Sequence, residues 1–152
     1  MPVANKSSDL IHDPMSPGSV PADPQKARGR LIVATGTVAN ASDDLNGSKF
    51  HLASIPSTAL LHDDTAFDVE NWGFAQVVIG TETDTDALVD QTKATENIVT
   101  PVAFGDAAHG KMIWEVLGLA KDPGGHVEIW AHAEADATGA GSMPFRIAYL
   151  AP

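Results

Sequence analysis

Three side chains on one stretch give the chain its best prospect of metal chemistry: His126, Glu128 and His132. Neutral imidazoles and a carboxylate are the ligand types that hold zinc in small catalytic sites. They alternate with apolar residues, so a strand would place them on one face. The two histidines lie six positions apart, however, which is ~20 Å along an extended chain at roughly 3.3 Å per residue. One ion cannot span that distance, and the pattern predicts a polar outward face with no metal site. Asp106 and His109 could be half of a hydrolytic relay. Ser42, Ser48, Ser54, Ser57 and Ser142 could complete it, but none sits in a Gly-x-Ser-x-Gly elbow. Asp106 is better read as the N-cap of a helix. His62, Asp63 and Asp64, with Asp68 and Glu70, could collect calcium, yet they lack the spacing and central glycine of an EF-hand loop. Gly139-Ala140-Gly141 is too short to cradle a phosphate and opens no helix. The expectation is a chain with no catalytic residue, no metal and no cofactor. Trp130 shares the charged face of its strand. It is either a contact anchor for a partner or covered by a second layer, such as a helix near Trp114.

Strands must position these groups. His126 to Glu134 alternates over nine residues, with Val127, Ile129, Ala131 and Ala133 on the apolar face. Met143 to Leu150 follows a small-residue loop, with Met143, Phe145, Ile147 and Tyr149 on one side. The simplest pairing is a hairpin that sets Phe145 and Ile147 against Val127 and Ile129. Arg30 to Val38 is β-branched and reads as a strand. Asn46-Gly47-Ser48 signals a hairpin leading into Lys49–Ser54. Asn71 to Ile79 reads as an interior strand, apolar on both faces. Residues 55–61, broken by Pro56, and 98–104, containing Pro101, read as edge strands or bends. Two short helices are expected, one over Ala87–Gln91 and one from Ala107 to about Leu117. Such a pattern predicts a mainly β fold: an antiparallel, jelly-roll-like β-sandwich over residues 30–152.

Residues 1–29 read differently, as an extended arm. Five of the ten prolines fall there, with no aromatic residue. Proline lacks an amide donor and biases its predecessor away from helix, so the segment cannot build a core of its own. Leu10, Ile11, Met15 and Val20 are its candidate anchors on a partner. Its three bases balance its three acids, so the net charge of −11 belongs entirely to the body. Phosphate backbones repel such a surface, which argues against nucleic acid as a partner. No membrane partner is expected either, because no run approaches the roughly 18 apolar residues of a span and no export signal is visible. Cysteine is absent, which removes disulfides and thiolate sites.

Four body segments carry a family likeness: Phe67-Asp-Val-Glu-Asn-Trp-Gly73, Pro101-Val-Ala-Phe-Gly-Asp106, Gly110-Lys-Met-Ile-Trp-Glu-Val-Leu-Gly118 and Ala137-Thr-Gly-Ala-Gly141. Together they resemble tailed-bacteriophage capsid cement or head-decoration proteins, across roughly residues 30 to 150. The resemblance implies a β-rich body on the outer capsid surface of the virion after synthesis in the host cytoplasm. It also implies a terminus laid across the major capsid protein, and it brings no catalytic residues. The expectation is a non-enzymatic virion structural protein that stabilises a phage head as a homo-oligomer, dimer or trimer. The alternative is a carbohydrate- or host-surface-binding module that uses Trp130.

Overall fold

Strands form where the sequence alternates, and their pairing is nested. In the computed structural model, which describes residues 2–152, a short helix α1 (Pro24–Arg28) leads into β1 (Arg30–Asn40). Then come β2 (Lys49–Pro56), β3 (Leu60–Leu61), β4 (Ala66–Asp68), β5 (Gln76–Gly80), β6 (Val89–Thr92) and β7 (Ile98–Val99). A one-turn helix α2 (Ile113–Val116) precedes β8 (His126–His132) and β9 (Gly141–Ala151). β1 pairs with β9, β2 with β8, β4 with β7 and β5 with β6, all antiparallel. These pairs merge into a first sheet, ordered β1-β9-β4-β7 with β3 also on β9, and a second sheet, ordered β2-β8-β5-β6. First strand with last, second with penultimate, successive pairs alternating between sheets: this is the wrapping of a jelly roll. The expected antiparallel β-sandwich is the observed fold.

Both sheets turn their apolar faces into one core. Phe67, Ile79, Ile129, Met143 and Ile147 are fully buried there. Trp72 and Phe74 enter from the loop before β5, and Phe50 of β2 meets Trp72 edge-on at 5.3 Å between centroids. Burying aromatics from a loop closes that end of the sandwich, since each removes a large apolar area from water. Asn40 ties the same end together. Its Nδ2 donates to the carbonyls of Ala41 and Gly139, and its Oδ1 accepts from the Gly73 amide.

Several local expectations are corrected. β8 and β9 form no hairpin: they lie in opposite sheets, so Val127 and Ile129 share a core with Phe145 and Ile147 across the sandwich instead of beside them. The turn at Asn46-Gly47-Ser48 likewise joins no hairpin, because β1 and β2 belong to different sheets. Gly47 does adopt a left-handed φ of +91° there, and its amide donates to the Ala133 carbonyl of the β8–β9 connection. Residues 87–91 are not helical. Thr81 and Asp84 close a turn, and Val89 begins β6 beside β5, buried in the core. The helix expected from Ala107 shrinks to Ile113–Val116. Gly110 takes φ +76°, which ends one turn before the next begins, and Met112 bridges to Leu60. The strand expected over Asn71–Ile79 begins only at Gln76. At the chain's start, α1 occupies part of the stretch read as extended. Asp23 caps it by accepting from the Gln25 amide, and Pro24 suits its first turn.

Candidate interaction surfaces

The three residues weighed as metal ligands go separate ways. His126 is exposed at one end of β8. His132, at the other end, is buried and its Nε2 lies 2.7 Å from the Thr81 carbonyl. Glu128 is engaged by β2, where its Oε1 accepts from Ser54 Oγ at 2.9 Å and its Oε2 lies 2.7 Å from His51 Nε2. Among the described residues no three His, Asp or Glu side chains come together as a metal group. The register explains the arrangement: His51 lies opposite Trp130 and Ser54 opposite Glu128 on the outer face of the second sheet. The Ser54 and His51 hydrogen bonds hold the Glu128 carboxyl below its ordinary value of 4.5.

Trp130 is therefore half-buried, and its cover comes from its own sheet. The His51 ring stacks on the indole at 4.4 Å and 16°, and Lys49 Nζ sits 5.0 Å from the ring centroid. Lys49 also pairs with Glu82, whose carboxyl it holds low. The indole Nε1 is buried with no hydrogen-bond partner, as is that of Trp114. One indole face is thus occupied, which leaves less of Trp130 for a partner than its alternation suggested.

The other polar groups act as braces. Asp106 accepts from the amides of Ala103, Ala108 and His109, and these bonds hold its carboxyl low. It caps a turn where a helix start was expected. That turn presents Phe104, which is 79% exposed and tilts against the His109 ring at 4.7 Å. The sequence reading passed over Phe104, because a lone aromatic beside glycine gives no periodic signal. Ser57 Oγ donates to Asp122, which also accepts from the Gly124 amide, and both bonds lower the Asp122 pKa. Ser57 is buried and serves loop closure. His62 Nδ1 accepts from the Asp64 amide and stands 3.4 Å from Asp63.

The proposed arm anchors all face solvent: Leu10 is 48% exposed, Ile11 63%, Met15 88% and Val20 76%. Short local bonds shape this segment, including Ser19 Oγ to His12 Nδ1 at 2.8 Å and Asp13 to the Met15 amide. It joins the body at Gln25, whose buried side-chain amide donates to the Thr58 and Leu150 carbonyls at 2.8 and 2.6 Å. Beside this latch, Leu10, Lys26, Leu60, His62 and Leu150 line a surface groove of about 370 Å³. Gln25 was invisible in the sequence, since a glutamine between prolines and bases carries no burial pattern. No helix among the described residues is long and apolar enough to cross a membrane. Comparison with family models, curated proteins and solved structures finds no match to the chain.

Proposed function

We propose that the chain is a non-enzymatic virion structural protein that binds the outside of a tailed-phage capsid and bridges major capsid protein subunits as a homo-oligomer. One observation carries the reading: an N-terminal segment whose apolar side chains face solvent is latched through Gln25 to a body with a filled interior. Jelly rolls host lectins, cupins and viral structural domains alike, so the fold alone decides nothing. A cavity between the sheets would favour small-molecule chemistry. Here Trp72, Phe67, Ile79 and Met143 occupy that space. The polar clusters outside brace strands and turns: Ser54 and His51 hold Glu128 between β2 and β8, and Ser57 holds Asp122 at a loop. An arm that orders on docking can cover a large surface, and repeated copies on a lattice make modest single contacts sufficient. Leu10, Ile11, Met15 and Val20 are its anchors, and Phe104 offers a further contact on a braced turn of the body.

The test removes residues 1–22 and keeps Asp23 and Gln25, so the latch and α1 survive. The shortened protein is expected to fold normally and to lose binding to undecorated phage heads. Binding at full strength would remove the arm from the mechanism. The rival reading, a glycan- or host-surface-binding module, needs an open aromatic platform. It loses support where His51 stacks on Trp130. Glycan binding abolished by Trp130→Ala, with no association with heads, would favour it instead.

A further inference from the structure

A sheet edge exposes unpaired N–H and C=O groups on every second residue, and proteins usually blunt it with brevity, charge, proline or a bulge. Four of the five edge strands here are blunted; β3 has two residues, and Leu60 bridges to Met112. β7 has two residues and is soon followed by Pro101. β6 has four, including Asp90. β2 carries Lys49, breaks register between His51 and Ala53, and ends on Pro56. β1 has none of these features. It runs eleven residues in unbroken register with β9, without proline, and its single charge is Arg30 at the start.

The side chains of β1 are also uncovered. On the outward face Leu31 and Val33 are each nearly half exposed. On the inward face Ala34 is exposed and Ile32 and Val38 only half-buried, although their neighbours Ile147, Tyr149 and Met143 on β9 are buried. Ile32 and Val38 still pack against the core, but the cover over this strand is incomplete.

We propose that β1 pairs antiparallel with β1 of a second copy about a two-fold axis at Thr35, joining two first sheets into one continuous sheet. This deepens the homo-oligomer part of the reading above, and its argument does not depend on a capsid. Charge selects the occupant. A body of net charge −11 repels its own copies over most of its surface, whereas β1 meets β1 with no acidic residue on either side. Centring on Thr35 overlaps all eleven residues and sets Arg30 against Asn40 of the second copy, so like charges never face each other. Val33 then lies opposite Thr37, and Leu31 opposite Ala39. Shifting the register by two residues gives up ladder bonds at each end. A centre between residues would set inward side chains beside outward ones and put the two bodies on opposite sides of the sheet. An isologous pairing closes on itself, so the edge is consumed without growth into fibres.

The experiment uses the full chain free in solution, with mass measured by light scattering and sedimentation across a concentration series. Dimer is expected, with every second amide of β1 protected from hydrogen exchange. Val33→Lys with Thr37→Lys sets two lysine pairs face to face and is expected to weaken the dimer about tenfold or more. Val33→Lys with Thr37→Glu sets lysine against glutamate twice and is expected to restore it. Circular dichroism and thermal melting check that both variants fold, as exposed positions should allow. A monomer at the highest soluble concentration, a trimer, or two variants that both dimerise like the parent would overturn the proposal. Two monomeric variants would overturn the Thr35-centred register. A monomer with protected β1 amides would assign the edge to the chain's own arm. Failure to bind heads by a protein that still dimerises would count against the capsid reading alone.

Discussion

The two sheets share one core and differ in what they turn outward. The second sheet presents polar and charged groups that satisfy one another: His51 with Glu128, Lys49 with Glu82, and Gln76 with Asp90. The first presents Leu31, Val33 and Leu150, a bare eleven-residue edge, and the latch that carries the N-terminal segment. A surface whose polar groups are already paired gains little from a partner. Exposed apolar side chains and unpaired backbone gain a good deal. On the dimer proposed above, the first sheet would meet another chain and the second would stay toward solvent.

The largest effect should show how far the sheets depend on each other. Trp72→Ala, emptying a site 1% exposed against Phe50 and Phe74, is expected to cost about 3–5 kcal/mol in denaturant unfolding. Both sheets should lose hydrogen-exchange protection together, and independent melting would break the idea of one shared core. Asn40→Ala comes next. It leaves the Gly73 amide and the Gly139 carbonyl without their partner, at ~1–3 kcal/mol, and thermal melting should register it. Gln25→Ala should separate the sheets. With two hydrogen bonds gone, the cost is about 1–2 kcal/mol. It should appear as faster exchange and proteolysis around residues 24–30, with β2 and β8 unaffected. Equal loosening of both sheets would blur the contrast.

The smallest effect belongs to the charged face. The Glu128 carboxyl titrates below its ordinary 4.5 in the folded state, chiefly through Ser54 and then His51. Its contribution is present above that value and lost as pH falls through the lower folded value. Glu128→Gln should therefore flatten the acid limb of a stability–pH curve slightly and leave neutral stability nearly unchanged. Exposed pairs contribute little, so a large change would mean this face is not the finished surface described.

Much of the fold was legible in the chain. The alternation of β8 and β9 gave their inward faces correctly, because side-chain direction in a strand follows from a period of two. Pro56 and Pro101 marked where pairing stops. The helices were misjudged because caps act within one turn: Asp106 does accept three amides, but Gly110 interrupts before a helix can grow. The six-residue spacing of His126 and His132 implied that they stand far apart, and they are the two ends of β8. Gln25 and Phe104 went unseen, since a single residue carries no period.

Alternation, turn residues and proline placement act over a few neighbours, and they determined the strands, the apolar faces and the β-sandwich class. Partner choice was decided only in three dimensions. β8 left its neighbour in sequence for β2, and β9 for β1, because the wrapped pairing lets one core take in both apolar faces along with Trp72 and Phe74. The same wrapping put β1 at an edge and Trp130 under His51. Neither position exists until distant strands meet.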